Sequence, residues 1–78
     1  MKNNTFSFVG VVGYSKFKNY TMNGAGRYEV ILVDKETLKA YPVIVSGDVL
    51  DNCKYETCKF TIKYGVRGIL FQDYEKIN

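Results

Sequence analysis

Thr57-Cys-Lys-Phe-Thr-Ile-Lys-Tyr64 alternates without a break: Cys58, Phe60, Ile62 and Tyr64 fall on one face, and Thr57, Lys59, Thr61 and Lys63 on the other. Successive side chains of a strand point to opposite faces, so this pattern predicts a half-buried β-strand with its apolar face on a core. Gly65-Val-Arg-Gly68 follows as turn chemistry, and Ile69–Ile77 makes the last strand. On the other side, Asp48-Val-Leu-Asp-Asn52 has room for one short helical turn, capped by Ser46 or Asp48. Lys39–Ser46 reads as a strand carrying Pro42. Proline cannot donate to a ladder, so this strand is expected at an edge or locally unpaired. Asp34–Thr37 is a polar turn after the strand Arg27–Asp34. Residues 5–14 are rich in Phe and Val; Phe6, Phe8, Val12 and Tyr14 share a face, and Gly10 and Gly13 signal a bend or bulge.

The pattern predicts five antiparallel strands, near residues 5–15, 27–34, 38–46, 56–64 and 68–76, with no helix of ordinary length. The class is all-β. Such strands fit a small closed or partly open barrel; an OB-like barrel and an SH3-like barrel are the two solutions, and a long, curved first strand with internal glycines favours the OB-like one. Lys16–Gly26 is then an extended basic and aromatic loop, or a mobile hairpin, projecting from the barrel. The 78 residues make a single domain. So short a chain has a thin core, which favours a homodimer. Its expected seam is the Val43–Val45 strand or the Gly65–Gly68 hairpin, since unpaired edges and apolar hairpin tips seek partners.

Net charge is +3, mildly basic, and its distribution says more than its size. Lys2, Lys16, Lys18 and Arg27 are the charged side chains up to Tyr28, and the acids begin at Glu29. The N-terminal stretch has no continuous apolar segment of a signal peptide, and no run approaches membrane-spanning length. A cytoplasmic location without membrane association is the expectation. Cys53 and Cys58 are then reduced thiols, and with no His in the chain their spacing makes no metal site. Cys58 suits a small buried position on the apolar face of its strand.

Catalysis finds little support. The chain lacks His and Trp and shows no close pair of acids, and Ser7, Ser15 and Ser46 lack the setting of a nucleophile elbow. Gly24-Ala-Gly26 is too short for a phosphate-binding signature, and Asp48, Asp51 and Asn52 lack the calcium-loop pattern. A non-enzymatic protein with no cofactor and no small-molecule substrate is expected.

The aromatic residues, seven Tyr and five Phe, exceed what a thin core holds. Phe6, Phe8, Phe60 and Phe71 are assigned to the core, Tyr64 is half-buried, and Tyr28 caps the core at the start of its strand. Tyr14, Phe17, Tyr20, Tyr41 and Tyr74 remain. Gly13–Arg27 gathers three of the chain's aromatics with Lys16, Lys18 and Arg27, and holds no acid. Cations meet phosphates and flat rings stack on unpaired bases, so this composition points to single-stranded nucleic acid, with Phe17 and Tyr20 as stacking platforms.

Ser15-Lys-Phe-Lys-Asn-Tyr-Thr-Met22 resembles the DNA-binding wing of the filamentous-phage gene V proteins, small dimeric OB-fold proteins that coat single-stranded DNA. Leu32-Val-Asp34 followed by Ala40-Tyr-Pro-Val-Ile-Val45 is similar to that family's central region, with Tyr-Pro-Val the most specific patch. Phe60-Thr-Ile-Lys63 and Gly68-Ile-Leu-Phe-Gln-Asp73 resemble its last two strands. The resemblance runs in short patches over residues 10–77. It implies DNA contact at Lys16, Tyr20 and Tyr41, and at Lys76, near a contacting cation of the last strand. Ser46 departs from it, standing where a basic residue is expected. Arg67 stands near the place of an aromatic, and Tyr74 where a cation would sit. The candidate nucleic-acid-binding set is Lys16, Phe17, Lys18, Tyr20, Arg27, Tyr41, Arg67, Tyr74 and Lys76. The function this implies is sequence-nonspecific binding of single-stranded DNA, or RNA, as an accessory of phage or mobile-element replication or transfer. The alternative from the same aromatics is a small β-barrel module for protein–protein interaction, because Tyr and Arg also dominate protein hot spots.

Overall fold

Alternation becomes strand through most of the chain. The computed structural model describes residues 4–77 and has five strands and one short helix: β1 (Thr5–Tyr20), β2 (Gly26–Asp34), β3 (Ala40–Ser46), α1 (Gly47–Cys53), β4 (Cys58–Gly65) and β5 (Gly68–Lys76). Lys2, counted above among the early cations, lies outside the described residues. All pairings are antiparallel, in the order β3-β2-β1-β4-β5.

β4 keeps the face read from its sequence. Cys58, Phe60 and Ile62 have no exposed surface. Burying side chains the size of Phe60 and Ile62 stabilises the fold by about 1.5–3 kcal/mol each. Tyr64, at the strand's end, is 48 % exposed, as half-burial requires. Facing β4 across the core are Val30 and Leu32 of β2 and Tyr41, Val43 and Val45 of β3. Tyr28 packs against this cluster at the start of β2, the capping position expected of it.

β1 is longer than its pattern suggested because two partners share it. Its first half, Thr5–Gly10, pairs with Cys58–Lys63 of β4; its second half, Gly10–Tyr20, pairs with β2. The changeover falls at Gly10, where a side-chain Cβ would run into the Val33 carbonyl oxygen and the Phe8 ring. The register to β2 then slips at Gly13, between Val12 and Tyr14. This is the bulge that the two glycines signalled, and it carries the strand around the core. Phe6 is a correction: expected in the core, it is 40 % exposed. Its ring leans on Phe8 and Tyr41, each 5.9 Å away, at the rim where β1 begins. Phe71 is partly buried and packs against the core.

Ser46 ends β3 and caps α1, its hydroxyl accepting from the Val49 N–H at 3.3 Å. The seven-residue helix drops Leu50 and Cys53 into the core. Ser46 thus has a local structural duty at the position where the resemblance anticipated a cation. The β2–β3 turn is tied by Asp34, whose carboxylate accepts from the Glu36 and Thr37 N–H groups at 2.8 and 3.3 Å.

Of the closed and partly open forms expected, the sheet takes the open one. β3 and β5 come alongside one another, yet among the described residues no ladder joins them. The structure is a five-stranded antiparallel sheet, curled and open at the β3/β5 seam. Pro42, which lacks an N–H, sits on this outer strand, the edge position its chemistry required.

Candidate nucleic-acid interface

Of the loop and the hairpin expected for Lys16–Gly26, the structure shows the hairpin. Lys16–Tyr20 continues β1 and pairs with Gly26–Glu29, so the basic and aromatic stretch is a hairpin with a short tip. The tip closes through Thr21, whose N–H donates to the Ala25 carbonyl at 2.8 Å while its own carbonyl accepts from the Gly24 N–H at 2.9 Å. Gly24 takes φ +86°, a conformation that favours glycine.

Pairing sorts the interleaved residues onto two faces. Opposed residues of an antiparallel pair share a face. Phe17 lies opposite Tyr28, and their rings meet edge to face at 5.5 Å. A second register slip between Phe17 and Asn19 brings Tyr20 to the same side, its ring 4.9 Å from Phe17. Since Tyr28 packs on the core, these three rings extend the core face outward along the hairpin. Tyr20 is 70 % exposed and Phe17 43 %. Two open rings on a paired strand offer flat apolar surface of the kind that an unstacked base requires.

Lys16 lies opposite Glu29 on the other face. Lys18, at the slip, reaches the same carboxylate, Nζ to Oε2 at 3.5 Å, the one ion pair among the described residues. Arg27, partly buried, alternates with Glu29 along β2 and so shares the cation face. A groove runs from the tip of the hairpin to the start of β5, lined by Thr21, Arg27, Ile44, Ile69, Leu70 and Phe71 among others, with no acid in its wall. Arg67 is exposed in the β4–β5 turn just before that segment.

The rest of the candidate set is not gathered here. Tyr41 is corrected outright: it is 8 % exposed, its ring is 4.8 Å from Phe8, and burial pushes its phenol pKa up. Tyr41, Val43 and Val45 are the inward positions of β3, so no stacking face is open on Tyr41. Tyr74 is partly buried, packs on the core and has its ring 6.3 Å from Phe71. Lys76 is exposed and pairs in register with Cys58, at the opposite end of β5 from Arg67.

Glu29 is the residue that sequence reading missed. It lies outside the acid-free stretch, and only the hairpin register brings it back among the cations. The signal was available: a short tip between two strand-like runs folds Glu29 opposite Lys16.

Other chemistry is sparse. Cys53 and Cys58 are buried free thiols; burial pushes Cys53 up to about 11, and Cys58 is raised for the same reason. Among the described residues, no three His, Cys, Asp or Glu side chains cluster to hold a metal ion, and no helix is long and apolar enough to cross a membrane. No protein-family model, curated protein or solved structure matches this chain.

Proposed function

We propose that this chain is a non-enzymatic, OB-like protein that binds single-stranded nucleic acid, DNA foremost, with little sequence preference, serving replication or transfer of a phage or mobile element. The observation that carries the reading is the hairpin: exposed rings of Phe17 and Tyr20 on one face, Lys16, Lys18 and Arg27 on the other. A strand lying along its edge reaches both, with bases against the rings and phosphates toward the cations. The OB-like assignment draws support from a rolled, partly open five-stranded sheet. In that fold the loops after the first strand and between the last two carry the ligand. Here they are the hairpin tip and the turn holding Arg67.

The protein-interaction alternative also has an observation in its favour. Tyr14, Ile31, Pro42, Ile44 and Ile69, with Glu29 in the same wall, line a mostly apolar groove beside the β3 edge. This groove suits the β3 seam of a homodimer, which sedimentation at micromolar concentration reads as about twice 8.9 kDa. A single species of one chain's mass removes the dimer and leaves the binding reading standing.

Salt dependence separates the two functions. Tyrosine fluorescence titrated with oligo-dT should show quenching, with a slope of log K against log salt of about −2 if three hairpin cations each meet one phosphate. An aromatic protein interface predicts no quenching by oligo-dT at any salt.

A further inference from the structure

We infer that Glu29 is a built-in competitor of the phosphate backbone: its carboxylate holds Lys18 in the free protein, and a bound strand must take Lys18 from it. The inference rests on the nucleic-acid reading of the hairpin and assigns to that site its affinity-limiting residue. Glu29 faces both lysines of the cation face, Lys16 as its register partner and Lys18 as its ion-pair partner at 3.5 Å. The pair is open to water, with side-chain exposures of 38 % for Lys18 and 50 % for Glu29. Such a pair is weak enough to exchange, so it does not lock the hairpin. It does two things to an incoming anion. It occupies one of the donors, and it leaves a negative charge beside the other once Lys18 has moved. Glu29 is exposed and fills no core position. Its strand neighbours Val30 and Leu32 are the ones that fill the core. The groove at the hairpin's tip, lined by Arg27, contains no acid, while Glu29 lies opposite Lys16 and pairs with Lys18. The consequence is an ion exchange on binding. One lysine–carboxylate contact is traded for one lysine–phosphate contact, and binding to nucleic acid stays weaker and more readily reversed than the hairpin's cations alone would make it.

Oligo-dT affinity of the full chain at low salt tests this, with Glu29→Gln, Glu36→Gln and Lys18→Ala as variants. Glu36 is exposed in the β2–β3 turn, away from the hairpin, so its substitution changes net charge equally. Glu29→Gln should tighten binding about two- to fivefold, the range that a surface pair's free energy converts to. Glu36→Gln should leave the affinity unchanged, and the gain from Glu29→Gln should shrink in the Lys18→Ala background. Unchanged or weaker binding by Glu29→Gln overturns the inference while the binding reading stands. An equal gain from Glu36→Gln overturns it in favour of net charge, and a full gain without Lys18 overturns the exchange. Failure of the unsubstituted protein to bind oligo-dT removes the nucleic-acid reading itself, a distinct result.

Discussion

Tyr20 shows 70 % of its surface to solvent and Tyr41 shows 8 %, so the same substitution reads two different quantities. Tyr20→Ala should weaken oligo-dT binding by about 1–3 kcal/mol, with the salt slope and the unfolding midpoint unchanged, because it removes a stacking surface and no charge. Tyr41→Ala should cost about 3 kcal/mol of stability, measured by urea unfolding, because it empties a core position against Phe8. Tyr20→Ala unfolding the protein, or Tyr41→Ala leaving stability intact, would reverse the two assignments. At this scale the sequence separated some aromatics and not others. Phe8 and Phe60 were legible from alternation alone. Tyr41 was legible too, since it alternates with Pro42 in step with Val43 and Val45, but the surplus of aromatics set it outside the core and the resemblance then drew it into the candidate interface. Phe6 has the right parity for the core, and only its place at the rim leaves it open. Parity gives the face a side chain points to; depth comes from what covers it.

The elements were read closely where local chemistry governs them. The glycine bulge in β1, Pro42 on an outer strand, and a single short helix capped by Ser46 all follow from residues within a few positions of one another. Gly10→Ala tests the most consequential of these. The added methyl would meet the Val33 carbonyl and the Phe8 ring, forcing β1 away from β2 where its pairing changes partners. The expected loss is about 1–3 kcal/mol, the usual range for overpacking, read as a lowered thermal midpoint. A neutral substitution would mean that β1 does not pass so close to β2. A hairpin beyond Tyr14 was one of two readings, but the length of β1 and the hairpin's register were not legible, because polar residues and aromatics give no clean alternation once a bulge falls among them. The two-faced sorting of rings and cations follows from two register slips, and a slip is a property of the strand pair.

For the whole molecule, stability should be highest in a middle pH range, for reasons that lie in few residues. Asp34 has its carboxyl held below the usual range, first by the Glu36 N–H. Its contribution is present above the unfolded value of about 4 and is lost as pH falls through the lowered folded value. Cys53, Cys58 and Tyr41 are raised, first by burial. Their neutral forms favour the fold below the unfolded values, and for Cys53 that contribution is lost as pH climbs from about 9 through about 11. Thermal midpoints measured across pH should therefore fall at both ends, with Asp34→Asn flattening the acid limb and Cys53→Ala the alkaline one. Midpoints independent of pH would contradict these placements. The all-β class was legible in the sequence as a whole, while closure was not, since it depends on whether β3 and β5 meet edge to edge across the full length of the chain. The central claim, that the hairpin holds a single strand, is tested most directly by amide chemical shifts of the labelled protein titrated with oligo-dT. The account predicts changes concentrated in Lys16–Tyr20, Gly26–Glu29 and the Arg67 turn, with the Asp34–Leu38 turn unmoved; no change at saturating oligo-dT, or changes that bypass the hairpin, would contradict it.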